Sequence, residues 1–166
     1  MWERLGGVDE EWEYKQAVCA IVSYMGHYNG YVRFESRPLV EEKYGGIGRY
    51  VPVHGGLTFA RSDKFPFSDP DGDEGAFIYG FDTAHAGDDE PDSHTKDIEW
   101  VRAETQRMAD AIMCAVEFEQ DYLADESNES RNSVISNYEA ALAARGIAFN
   151  QDSNFGLKIH MLGGQL

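Results

Sequence analysis

Two short stretches hold the residue types most able to do chemistry, "VHGGLTF" at residues 53–59 and "GFDTAHAGDD" at residues 80–89. Each places a histidine beside glycine in or at the end of an apolar run. Histidine changes charge near neutral pH and is the commonest metal ligand. Glycine weakens a strand, so Gly55 and Gly56 beside His54 imply either a bulge that re-aims a side chain or a close approach to the backbone. In the second stretch Asp82 and His85 lie three residues apart, and Ala86–Gly87 can turn the chain so that Asp88 and Asp89 point back. If the strands carrying His54 and Asp82 are hairpin neighbours, then His54, Asp82, His85 and Asp88 meet at one end of a sheet.

Such a group has three possible uses. Two imidazoles with one or two carboxylates suit zinc, manganese or iron, with an open position for activated water. On that reading His54, Asp82 and His85 are the ligands of a metal-dependent hydrolase and Asp88 orients the water. Without metal, a His–Asp pair is a general acid/base unit, the carboxylate fixing the tautomer. Thirdly, His54, Gly55, Gly56, Asp82, His85 and Asp88 can bind a small polar molecule and do no chemistry. Arg33 and Arg49 would then supply charge for a nucleotide-like anion, with a homo-oligomer interface as the expected setting. The bland alternative makes both histidines structural and both aspartates turn caps, and a purely structural or partner-binding protein also stays open. His27, in "MGHYNGY", is placed to join from a neighbouring strand, whereas His94 and His160 read as surface or packing residues. Among the aromatic residues, Tyr28 and Tyr44 lie in loops and suit stacking on a planar ligand, while Phe59 and Phe81 suit the core. No GxSxG elbow is present and neither cysteine has a histidine near it in sequence, which disfavours covalent catalysis.

The elements that must position these residues are legible from periodicity. "QAVCAIVSYM" (16–25) is an apolar, β-branched-rich run suited to a buried strand, and "YVRFES" alternates as a two-faced strand. Asn29–Gly30 favours the tight turn between them. Residues 37–50 read as a loop, because "YGGIGRY" has neither the spacing nor the ending of a phosphate loop. "YVPVHGGLTFA" resumes as a strand, with Pro52 at its edge or start. Asp69, Asp71 and Asp73 copy the first ligands of a calcium loop, but Glu74 and Gly80 occupy the positions that need glycine and glutamate, which favours a solvated turn. "GAFIYGFDTA" is apolar nearly throughout and reads as a central strand.

From Asp97 the period becomes helical, with Ile98, Val101, Thr105, Met108, Ile112, Ala115 and Tyr122 near one face and Ser93, Thr95 or Asp97 as cap. A second helix spans about 130–145, with Gly146 as its stop. "IAFNQ" and "LKIHML" are candidate closing strands. The order predicts one α+β domain over residues 1–166, a mainly antiparallel sheet of four or more strands (about 16–86) backed by helices at about 97–124 and 130–145.

Composition narrows the class. The chain has 166 residues, 42% hydrophobic and 13% aromatic, enough for a real core. No apolar run approaches the ~20 residues that span a bilayer, and the first residues lack the basic start and apolar stretch of a signal peptide, so the expected compartment is the cytoplasm and no membrane partner is expected. A net charge of −16 opposes nonspecific nucleic-acid binding. Within residues 33–64, however, Arg33, Arg37, Lys43, Arg49, Arg61 and Lys64 outnumber Glu35, Glu41, Glu42 and Asp63, a local positive window that suits a small anion. Cys19 and Cys114 sit in apolar runs outside any CxxC pair and read as buried free thiols.

"NGYVRF", "VHGGLTF", "FIYGFDTAHAGD" and the helix beginning "IEWVRAETQRMADAI" together resemble a group of small uncharacterised proteins from tailed phages and prophages, in which HGGLT[FY] and GFDxAHAGD recur in this order. The resemblance covers about residues 28–115. It implies a bacteriophage-encoded protein acting inside an infected cell, where by analogy of lifestyle some small phage proteins counter host defence by sequestering nucleotide signals. It implies cysteine at the position held here by Thr83, so no catalytic role is assigned to that position.

Overall fold

The structure is a computed structural model and describes residues 7–39, 46–62, 75–90, 93–124 and 127–147. Among the described residues, five strands form one antiparallel sheet in the order β1-β2-β3-β5-β4, followed in the chain by two α-helices, an α+β fold. The strands are β1 (Glu10–Tyr14), β2 (Ala17–Tyr24), β3 (His27–Phe34), β4 (Phe59–Ser62) and β5 (Phe77–Phe81), and the helices are α1 (Ile98–Ala124) and α2 (Asn128–Ala144). No helix among the described residues is long and apolar enough to cross a membrane.

Strict alternation divides the sheet into two faces. Cys19, Ile21, Val32, Phe34, Phe77, Tyr79 and Phe81 point to the helices and share one core with Val101, Met108, Ile112 and Ala115 of α1. Ala20 and Ile78, with Val18, Tyr31 and Phe59, form a smaller cluster on the other face. Helix α2 packs on α1 through Ile135, Tyr138 and Leu142, and the Tyr138 hydroxyl donates to the Ala111 carbonyl at 3.1 Å. The cap expectations hold at Asp97, whose Oδ1 accepts the Glu99 N–H at 2.9 Å, and at Gly146, where α2 ends. Cys19 and Cys114 are buried free thiols.

Several boundaries differ from the sequence reading. The β2–β3 turn is Met25–Gly26, with φ of 51° and 85°, rather than Asn29–Gly30. Gly30 lies inside β3, where a Cβ would stand 2.3 Å from both Phe81 and Thr105, so its role is close packing and not turning. Residues 50–58 are not strand: a 3-10 helix (Ile47–Tyr50) and an extended, turning segment precede a short β4. β1 was not anticipated, although Trp12 and Tyr14 alternate with exposed Glu11 and Glu13 in the period of a strand. Helix α2 starts two residues earlier than expected, behind an Ser127 cap. Asp69, Asp71, Asp73 and Glu74 of the calcium-like loop, Tyr44, His160 and the candidate closing strands, all but Ile147, lie outside the described residues.

The pairing positions the motifs. β4 and β5 run antiparallel with Phe59 opposite Gly80, so the start of β4 and the end of β5 share one sheet end. The Thr58 N–H donates to the Gly80 carbonyl at 2.9 Å and extends that pairing toward His54. The start of β3 lies at the same end, since Gly30 pairs with Phe81.

Replacing Gly30 by alanine should destabilise the fold by about 1–3 kcal/mol, because the added methyl has no room between Phe81 and Thr105. Urea denaturation of the two proteins measures it; a change below about 0.5 kcal/mol would mean that the α1–β3 contact relaxes freely.

Candidate functional site

Both motifs build the same local device. In the first, the Gly56 N–H donates to the Val53 carbonyl at 2.9 Å, and Gly55 holds φ of 65° at the third position of the turn. In the second, the Asp88 N–H donates to the His85 carbonyl at 3.0 Å, and Gly87 holds φ of 99° at the equivalent position. Positive φ there is the type II turn signature and favours glycine. The turns fit against each other: a Cβ on Gly55 would lie 2.2 Å from Cε1 of His85, so the absent side chain is the space that the imidazole occupies.

Asp88 is the centre of the contact. Its Oδ2 accepts from His54 Nε2 at 3.0 Å, and its Oδ1 lies 2.9 Å from the same nitrogen. Oδ2 also accepts from the His85 backbone N–H at 2.7 Å and from His85 Nδ1 at 3.3 Å. Asp88 is 5% exposed. Burial disfavours its charge, yet the hydrogen bonds from His54 and from the His85 backbone outweigh burial and hold the carboxyl below its ordinary value. An ionised carboxylate only accepts, so the ring nitrogens facing it, His54 Nε2 and His85 Nδ1, carry hydrogen. The two rings meet edge to face with centroids 5.2 Å apart.

Helix α1 supports the site from below. Trp100 packs edge-on against the His54 ring at 5.5 Å. One turn later Glu104, 6% exposed, accepts the His54 backbone N–H at 2.7 Å and pairs with Arg107. The Thr95 hydroxyl donates to the Asp88 carbonyl at 2.9 Å and fixes the second turn from its far side. Trp100, Glu104 and Thr95 were not among the candidate residues. Their signal is present but faint: a tryptophan, an acid and Arg107 recur at helical spacing beside the apolar stripe of α1.

The structure thus brings together His54, Gly55, His85 and Asp88, with Gly56 completing the first turn. Asp82 stands at the edge of the group, its Oδ1 3.7 Å from His85 Nε2 and accepting the Ala84 N–H at 3.2 Å. The carboxylate between the imidazoles is therefore Asp88, where the sequence reading placed Asp82. Arg33 is not brought to this end: it registers with Val18 and Ile78 on the sheet face away from the helices and pairs with Glu35 at 2.5 Å. Arg49 lies over the ring of Tyr50, which packs on Tyr122 near the far end of α1. Arg37 lies over Phe77, so the described members of the positive window engage separate neighbours. His27 stays outside the cluster. Tyr28 is half-buried against the core, and its carbonyl accepts the Thr83 hydroxyl at 2.9 Å, so Thr83 ties β3 to the end of β5. His94 is exposed.

Compared with protein-family models, curated proteins and solved structures, the chain has no match. The geometry therefore carries the functional argument. One donor atom each from His54, His85 and Asp88 lies within 4.8 Å of the others, a group able to hold a metal ion.

Because the Asp88 carboxyl is held below its unfolded value of about 3.9, its ionisation stabilises the fold above that pH and the benefit is lost as pH falls through the lowered folded value. In chelator-treated protein the stability gap between the unsubstituted chain and Asp88→Asn should be full near neutrality and shrink as pH falls below about 4. Urea midpoints across a pH series measure it; a gap constant to the lowest pH would show that the Asp88 charge does not organise the two turns.

Proposed function

We propose that His54, His85 and Asp88 bind a divalent transition metal ion, zinc, manganese or iron, and that the ion serves hydrolysis of a small polar substrate. The observation that carries this reading is the convergence of two imidazole nitrogens and one carboxylate oxygen within 4.8 Å of one another. Present separations of 2.9–3.3 Å between Asp88 and the ring nitrogens are hydrogen-bond distances. Metal bonds of about 2.0–2.2 Å would draw these groups around one point, with Asp88 between the two imidazoles. A bound ion would be held by His54 Nε2, His85 Nδ1 and the Asp88 carboxylate, and His85 Nε2 would face Asp82, 3.7 Å away, the outer carboxylate that would orient this ligand.

Two histidines and one carboxylate leave coordination positions open for water, whose pKa a bound metal lowers toward neutrality. The imidazole side chains are 25% and 35% exposed, so water and a small substrate reach the open side. Anion binding is less well supported, because Arg33 and Arg49, its intended charges, stand elsewhere in the fold. The phage resemblance would set this chemistry in an infected bacterial cell.

Elemental analysis by mass spectrometry on protein purified without chelator tests the proposal. About one transition-metal ion per chain is expected, with loss of most of it in His85→Ala and Asp88→Ala variants whose far-UV circular dichroism is unchanged. Metal absent from the unsubstituted protein even after incubation with each ion, or retained fully by both variants, overturns it and returns the cluster to metal-free acid/base or ligand-binding roles.

A further inference from the structure

At the opposite end of the sheet, where β1 turns into β2 and β3 ends, lies a half-open cavity of about 500 Å³ between the sheet, α1 and the end of α2. Its volume is within the roughly 300–1,000 Å³ of small-molecule sites. Ala17, Phe34, Met113 and Ile147 give it apolar walls. Two ion pairs flank them. Lys15 Nζ contacts Asp110 at 2.5 Å, and Arg145 Nη2 contacts both carboxylate oxygens of Glu117 at 2.7 and 2.8 Å. Asp110 and Glu117 are seven residues apart on α1, two helical turns or roughly 10 Å, with Met113 and Cys114 between them on the same side.

The two ends differ. Asp110 is committed: it also accepts the Tyr14 hydroxyl at 2.9 Å and holds Lys15, whose φ of 53° is one that non-glycine residues rarely adopt. The Glu117 carboxylate is the more open of the two acids, 55% exposed against 25% for Asp110. Arg145 and Glu117 side chains are 41% and 55% exposed, and an ion pair so wetted adds little stability. Arg145 also touches the Cys114 sulfur in the cavity wall, which directs the guanidinium inward.

The geometry points to a binding site for a small zwitterion carrying an apolar group, an amino-acid-like molecule. Its carboxylate takes the forked donors of Arg145, its ammonium takes Glu117, and its side chain lies on Met113 and Phe34. The charge balance selects this class. Asp110 and Glu117 face a net anion, and Lys15 and Arg145 face a net cation, whereas a zwitterion exchanges one ion pair for two and leaves no charge unmatched. The site is independent of the histidine cluster, which lies at the other end of the sheet.

The test is titration of the full chain, followed by isothermal calorimetry and protein NMR, with L-phenylalanine, 3-phenylpropionate and 2-phenylethylamine. Saturable binding of phenylalanine is expected, at least tenfold tighter than either singly charged analogue. Arg145→Gln should weaken it at least tenfold, Met113→Trp should abolish it by filling the cavity, and His85→Ala should leave it unchanged. Should Met113→Trp fail to fold, Arg145→Gln decides alone. Absence of saturable phenylalanine binding, equal affinity for the three probes, or affinity unchanged in Arg145→Gln overturns the inference.

Discussion

The carboxylate of Asp88 is the constraint on which the motif end of the molecule depends. A buried charge is expensive unless hydrogen-bonded, and this one is satisfied by N–H groups from two turns far apart in sequence. Meeting that requirement dictates the conformation of both turns. His85 must present its backbone and ring to the same oxygen, which the tight turn through Gly87 permits. His54 must arrive from another segment at hydrogen-bond distance, which brings Gly55 over the His85 ring and leaves no room for a side chain there. The paired glycines and histidines are thus parts of one contact, whether or not an ion occupies it.

The rest of the fold delivers the two turns to each other. Antiparallel pairing of β4 with β5 puts the beginning of one and the end of the other together, and β3 brings Tyr28 and Asn29 to brace Thr83. Helix α1 then acts as a common support. Its first turns carry Trp100 and Glu104 against His54, and its middle carries Met108 and Ile112 into the core. A single helix therefore couples the sheet's packing to the site's geometry, and its later turns form one wall of the cavity at the far end.

The charge pattern reads differently once folded. The window from residue 33 to 64 is positive in sequence, but a β-strand sends alternate residues to opposite faces and a helical turn sends Arg49 elsewhere again. Arg33 pairs with Glu35, Arg37 covers Phe77 and Arg49 covers Tyr50, each a local use of a long side chain. Proximity along the chain did not become proximity in space, and Arg33, Arg37 and Arg49 are not brought to the histidine cluster.

Local rules made much of this protein legible from sequence. The apolar runs at Ala17–Tyr24 and Phe77–Phe81, the helical period from Ile98, the cap at Asp97 and the stop at Gly146 follow from side-chain geometry within a few residues. So did the expectation that His54, Asp82, His85 and Asp88 share one sheet end, of which the structure brings His54, His85 and Asp88 together and leaves Asp82 at the edge. Where the rules failed, a distant neighbour outvoted them. Asn29–Gly30 has the composition of a turn, yet Gly30 was needed where Phe81 and Thr105 press on β3, and the turn moved to Met25–Gly26. The choice of Asp88 over Asp82 as the shared acceptor, and of Glu104 as the support of His54, depends on directions that close only when three segments pack. Sequence by itself determined the candidate groups and most of the elements that flank them, since both follow from covalent structure and local periodicity. Tertiary structure alone decided which groups touch, because hydrogen bonds and buried charge are settled by atoms remote in the chain.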